Sequence, residues 1–199
     1  MKKILIVLNA IVYNRGSEAL VRGISAICKE NMKDSNITLV SSEEEFDSSI
    51  GIENIDNYVK KLNYSKKSIM RYVVAIFKKL KMNKIATALN YSKLKNVAKQ
   101  QDIIMMIGAD NYDITYNMQE ELKRLNTYLR KHTAAKMVLY DCSIDKRDIT
   151  ETLKKDFDNF DVVTVRETIS KENIKNIIDE KKLRLYPDPA FAMKLEETN

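Results

Sequence analysis

Ile4-Leu5-Ile6-Val7-Leu8, with Asn14-Arg15-Gly16-Ser17-Glu18 shortly after it, decides the fold. Five consecutive apolar residues suit a strand buried on both faces, which predicts a central strand of a parallel sheet. The polar cluster predicts a turn through Gly16-Ser17 that caps a helix, because Leu20, Ile24, Ile27 and Cys28 recur at helical spacing. The same order returns three times. Gly108-Ala109-Asp110-Asn111-Tyr112 follows Ile103-Ile104-Met105-Met106-Ile107, Asp141-Cys142-Ser143-Ile144-Asp145 follows Met137-Val138-Leu139-Tyr140, and Arg166-Glu167 follows Val162-Val163-Thr164-Val165. Parallel strands would place all four clusters along one edge of the sheet, where open α/β folds bind ligands.

The intervening stretches supply the remaining elements. Residues 37–40 predict a second strand, and Ser41, Ser42, Glu43, Glu44, Glu45 and Asp47 predict a polar, mobile loop. Between 65 and 81, Ile69, Tyr72, Val73, Ile76, Phe77 and Leu80 follow helical spacing with Lys and Arg between them, which predicts a basic amphipathic helix. A second helix is expected over 84–99. Met118, Leu122, Leu125 and Leu129 space out another, and helices over 150–157 and 170–178 alternate with strands over 162–165 and 183–186. Alternation of this kind predicts one three-layer, Rossmann-like α/β domain over residues 1–199, with a mostly parallel sheet and a basic helical insertion at 57–101. Residues 190–199 read as a helix start or linker that leads onward.

Composition narrows the function. The chain has 199 residues, 44% of them hydrophobic, and a net charge of +6. No stretch approaches the ~20 apolar residues of a bilayer span, and the short run after Met1-Lys2-Lys3 lacks the features of a secretory signal, so a cytoplasmic protein is expected. The charge is lopsided: 12 basic residues and no Asp or Glu lie between Asp56 and Asp102, and the rest of the chain holds 22 basic against 28 acidic residues. Helical spacing predicts that the apolar residues of this stretch pack inward beneath a solvated basic face. Among functional uses of the charge, an anionic membrane surface suits a basic amphipathic helix better than a nucleic acid, for which no recognition motif is present. His132, the lone histidine, belongs to a helix-to-strand connection at the opposite end from the clusters, which excludes a Ser-His-Asp triad or a histidine metal centre. Cys28 and Cys142 form neither a zinc pattern nor a disulfide framework, and no metal site is expected.

The polar blocks, taken in order, resemble the N-terminal half of the polysaccharide pyruvyl transferase family. Asn14-Arg15-Gly16-Ser17-Glu18-Ala19-Leu20 is similar to the family's Asn-x-Gly-Asp-Glu-Ala stretch, and Ile107-Gly108-Ala109-Asp110-Asn111-Tyr112 to its glycine-rich block. Ser143-Ile144-Asp145, Val165-Arg166-Glu167 with Ser170, and Tyr186-Pro187-Asp188-Pro189-Ala190-Phe191 complete the set. Ser17 stands where the family usually has Asp, and Ala109 where it often has Gly. The resemblance implies one half of a GT-B-type two-domain transferase that moves the enolpyruvyl carbon of phosphoenolpyruvate onto two hydroxyls of a sugar, leaving a pyruvate ketal on a cell-surface glycan or its lipid-linked precursor. It implies phosphoenolpyruvate as a co-substrate without a further cofactor. It also implies that this half holds the acceptor and needs a second α/β half, from the same or another chain, to act.

That chemistry asks for an acid, a base and cations, and the clusters offer candidates. Arg166 can hold a carboxylate or phosphate, or else pair with Glu167 or Asp188. Asp110 can bind a sugar hydroxyl or act as base, with Asn111 adding hydrogen bonds and Tyr112 a stacking face, or else cap a turn. Gly108 shapes the same block. Gly16, Ser17 and Glu18 can shape the cleft floor through free backbone N–H groups. Ser143 can line the cleft, and Asp145 either lines it or caps a helix. Two other readings stay open at this point: a noncatalytic sugar- or anion-binding Rossmann-like module, and half of a nucleotide-sugar glycosyltransferase.

Overall fold

The computed structural model describes residues 1–8, 14–65 and 68–193. Most of the loop after the first strand (9–13), the basic residues Lys66 and Lys67, and the end of the final segment (194–199) lie outside the described residues. The elements run β1 (Lys3–Val7), α1 (Arg15–Asn31), β2 (Asn36–Ser41), α2 (Glu44–Ile50), β3 (Asn57–Lys60), α3 (Met70–Lys79), α4 (Asn83–Ala98), β4 (Ile103–Ala109) and α5 (Gln119–Arg130). They continue through β5 (Lys136–Cys142), α6 (Glu151–Phe157), β6 (Val162–Val165), α7 (Thr168–Ile174) and β7 (Leu183–Leu185) to a 3-10 turn at Pro189–Ala192. Seven strands form one sheet in the order β3-β2-β1-β4-β5-β6-β7, every neighbouring pair parallel.

The sheet is sandwiched between helices. Leu5 and Val7 of β1 face a core with Tyr91 and Leu94 of α4, Leu122 and Leu125 of α5 and Leu153 of α6. Ile4 and Ile6, pointing the other way, pack with Leu20, Val21 and Ile24 of α1. The apolar run at the N-terminus is therefore buried on both faces because helices cover both.

Three expectations change. Glu44, Glu45 and Asp47, expected in a mobile loop, sit in the first turn of α2, where carboxylates suit the positive end of the helix dipole, and Gly51 ends the helix in a left-handed conformation (φ 63°). The 57–101 stretch is not purely helical, because it opens with β3, an edge strand paired to β2. With only Tyr58 and Val59 as strand formers, β3 is too short to show periodicity. Most consequentially, the apolar residues of α3 do not pack inward as a set. Val74 alone is buried, at 3% exposure.

Candidate functional site

Parallel pairing puts the C-terminal ends of all seven strands on one edge, and the strand order reverses between β1 and β4. The crevice outside such a reversal is the usual ligand site of a doubly wound sheet. Asp110 stands there, exposed, directly after β4, and the Tyr116 hydroxyl donates to its Oδ2 at 3.2 Å. Its neighbours make contacts within the fold. Asn111 donates from Nδ2 to the carbonyls of Gly108 (2.9 Å) and Ile107 (3.3 Å), which pins the turn. Gly108 is buried, and a Cβ there would lie 2.1 Å from Cys142 Sγ, so the glycine lets β4 approach β5. Tyr112, expected as a stacking face, is 2% exposed. Its hydroxyl donates to Asp156 Oδ2 at 2.7 Å, and Asn126 Nδ2 (2.8 Å) and Asn159 Nδ2 (2.8 Å) complete a buried network around that carboxyl.

Farther along the rim, Arg166 gathers the ends of β5, β6 and β7. Its Nε donates to Ser143 Oγ at 2.7 Å, and its Nη1 reaches Asp188 Oδ2 at 3.2 Å and Asp141 Oδ2 at 3.4 Å. Glu167 Oε2 lies 4.0 Å from Nε. Of the two roles the sequence left open for Arg166, the geometry displays the paired one. Asp145 likewise caps a 3-10 turn in a reciprocal capping box with Asp148.

Asp141 opens one of the sequence's polar clusters, but no residue pattern there assigns it a role. It is buried within β5 at a register shift, its backbone is left-handed (φ 62°), and its Oδ1 has no hydrogen-bond partner among the described residues. Burial, followed by the charge of Asp188, pushes its carboxyl up to about 7 against the pull of Arg166. Ala109 on the adjacent β4 is also left-handed (φ 43°) and pairs with Cys142. Two strained residues side by side at a sheet's ligand edge are a recurrent mark of functional sites.

On the other side of the reversal, Asn14 rather than Gly16-Ser17 caps α1, its Oδ1 accepting from Gly16 N at 2.9 Å. Ser17 and Glu18 are buried in the first turn. Burial opposes charge on Glu18, but hydrogen bonds from Arg22 (2.9 Å) and Arg15 (3.0 Å) prevail and hold its carboxyl below the usual range. Gly23, one turn on, abuts the Asp188 segment: a Cβ there would lie 1.8 Å from the Pro189 carbonyl oxygen. That contact fixes the backbone around Asp188, one of the two acids Arg166 holds through Nη1.

A groove of about 870 Å³ opens at the ends of β2 and β3, lined among others by Lys61, Tyr64, Arg71, Tyr91 and Glu121. Burial pushes the Lys61 ammonium down to about 8, opposed by Glu121. Tyr91 donates to Glu121 Oε1 at 2.7 Å and Lys78 to Oε2 at 3.0 Å. These side chains come from β3, α3, α4 and α5 and their connections, so no local motif announces the groove.

His132 is exposed at the opposite edge, with Nδ1 2.7 Å from the Tyr128 carbonyl. Cys28 and Cys142 are both buried; burial pushes the first thiol up to about 11 and the second well above its ordinary value, which suits packing and not nucleophilic attack.

Solved structures share the fold. The chain is similar to Anabaena Alr3699/HepE in complex with UDP and glucose, at 12% identity and a TM-score of 0.53, over 94% of this chain and 44% of that one. It is also similar to a UDP-N-acetylglucosamine 2-epimerase, at 12% identity and a TM-score of 0.52, over 92% and 47% of the two chains. This chain thus spans less than half the length of either structure and matches one half of a GT-B-like architecture. No curated protein sequence matches it. The profile of the polysaccharide pyruvyl transferase family, in contrast, matches residues 14–198, from the Asn14 cap through the Arg166 cluster and beyond the Asp188 turn, and the chain belongs to that family.

Proposed function

We propose that this chain is the acceptor-holding half of a pyruvyl transferase, with the saccharide seated along the rim from Asp110 to Arg166 and phosphoenolpyruvate carried by a second α/β half. In the reaction, a sugar hydroxyl adds to C2 of the enol while a proton is delivered to the methylene carbon. A second hydroxyl then displaces phosphate from C2 and closes the ketal. One observation carries the assignment: Arg166 is surrounded by Asp141, Asp188 and Glu167. Three carboxyl groups around one guanidinium repel a phosphate and a carboxylate but accept hydrogen bonds from sugar hydroxyls.

Asp141 would take the proton from the attacking hydroxyl, since a carboxyl poised at about 7 is matched to general-base work near neutrality. Arg166 and Ser143 would position it, and Asp110 would hold a second hydroxyl across the crevice. Calorimetric titration of the chain with acceptor saccharides and, separately, with phosphoenolpyruvate tests the division of labour. Saccharide binding without phosphoenolpyruvate binding supports it; the reverse pattern overturns it. Tight binding of a nucleotide sugar would point to a glycosyltransferase half, and saccharide binding that never leads to transfer with any second half would point to a noncatalytic module.

A further inference from the structure

Four large apolar side chains along α3 and at its ends are turned away from the protein. Ile69, Tyr72, Ile76 and Leu80 are 79%, 70%, 58% and 61% exposed, against 3% for Val74. Tyr72 and Ile76 each stand two residues from Val74, or about 200° around the helix, so they project almost opposite to the one buried side chain. Met82 and Ile85, both exposed, prolong the patch onto the start of α4. Val73 and Phe77 are half-buried beside Val74, so α3 keeps a narrow inner apolar contact and turns a second, longer apolar stripe outward.

The charge that α3 and its flanks themselves carry is of one sign, and carboxylates come from other elements: Glu121 pairs with Lys78 at 3.0 Å, and Glu43, Glu44 and Glu45 line the groove that Arg71 borders. Arg71, Lys79, Lys81 and Lys84 are exposed around the patch, and no Asp or Glu occurs between Asp56 and Asp102. Cations flanking an outward apolar stripe match an anionic lipid surface, where the side chains sink into the acyl boundary and the cations stay among the headgroups. A nucleic acid rewards the cations but leaves Ile76 and Leu80 against a phosphate backbone. An ordinary protein interface is depleted of lysine at its core and has no use for a fringe of one sign.

We infer that α3 is a peripheral docking helix for anionic membranes, with Ile69, Tyr72, Ile76 and Leu80 as the inserted residues. The proposal stands on this surface alone and does not require the transfer reaction. Its consequence for that reaction is geometric: Arg71 and Lys78 of α3 also line the 870 Å³ groove, which would then open beside the lipid headgroups.

The test uses the whole chain and vesicles of phosphatidylcholine with or without phosphatidylglycerol. The wild type should sediment with the anionic vesicles only, and binding should fall as salt rises. A Tyr72→Asp/Ile76→Asp double variant changes exposed positions and should keep its melting temperature while losing vesicle affinity by about tenfold or more. Because the chain has no tryptophan, Ile76→Trp supplies a single fluorophore whose emission should shift to the blue on binding. Vesicle binding that is insensitive to salt, or equal in the double variant, overturns the proposal. So does a wild type that ignores anionic vesicles and instead forms a dimer, or binds RNA, in a manner the double variant abolishes. These readouts contain no turnover, so their failure is separate from any failure of the transferase reading.

Discussion

At the scale of single residues, Asp141 and Tyr112 make opposite predictions. Asp141 keeps a proton in the folded chain up to about pH 7, whereas an unfolded Asp releases it near 3.8. Between those values the native state binds more protons than the unfolded one, so this group's contribution to stability falls as pH rises through the window and is lost above about 7. Asparagine carries no such penalty and tolerates a left-handed backbone. Asp141→Asn should therefore melt higher than the wild type at pH 8, with the difference shrinking toward pH 4, while transfer activity drops by about 100-fold or more. Melting curves at the two pH values, together with turnover in the presence of the second half, check both limbs. In the wild type, turnover should decline as pH drops below about 7, when the proposed base is protonated. Tyr112→Phe should behave in the reverse way. It leaves Asp156 short of one donor in the core and should cost about 1–2 kcal/mol in urea unfolding, with acceptor affinity unchanged.

Elements explain what could be read in the sequence. The strands at 4–8, 103–107, 137–140 and 162–165 were legible because a strand buried on both faces must be a continuous apolar run, and the order of the polar blocks pointed to one ligand edge. β3 was not legible, since an edge strand needs little apolar residue, and neither was α2, whose acidic first turn looks like a loop. The outward face of α3 could not be read at all: periodicity gives the width of an apolar stripe but not the side on which the protein lies. The same limit hid Asp141, whose importance comes from a buried orphan oxygen and from Asp188, 47 positions away in the chain. Gly23 and Gly108 each permit one close approach that the sequence does not display. Gly108→Ala should destabilise the fold by about 1–3 kcal/mol and be partly rescued by Cys142→Ala, because the nearest obstacle is a sulfur that can be removed while the Cα and Cβ of residue 142 stay 3.2 Å away. Gly23→Ala should cost at least as much with no side-chain rescue, because it meets the Pro189 carbonyl. Chemical denaturation of the single variants and of the Gly108→Ala/Cys142→Ala pair separates the two cases.

For the molecule as a whole, the order β3-β2-β1-β4-β5-β6-β7 assigns opposite duties to the two edges of the sheet. The C-terminal edge collects Asp110, Asp141, Ser143 and Arg166, and it carries the strained backbone at Ala109 and Asp141. The N-terminal edge is closed by carboxylates that tie strand starts together: Asp102 accepts from Lys3 N at 2.8 Å, Asp56 from Ile37 N at 2.7 Å and Asp161 from Met137 N at 2.8 Å. Backbone N–H groups bound in this way are already satisfied, whereas the segments after β4, β5 and β6 carry the polar groups of the proposed crevice. An acceptor saccharide should therefore slow amide hydrogen exchange over 110–118, 143–148 and 166–170, where partial burial and new hydrogen bonds suppress local opening. Exchange at 132–136 and 179–182, on the far edge, should be unaffected. Exchange measured by mass spectrometry with and without a saturating acceptor reads both edges in one experiment. Protection confined to the far edge would separate the ligand from the Arg166 cluster and remove Asp141 from the reaction.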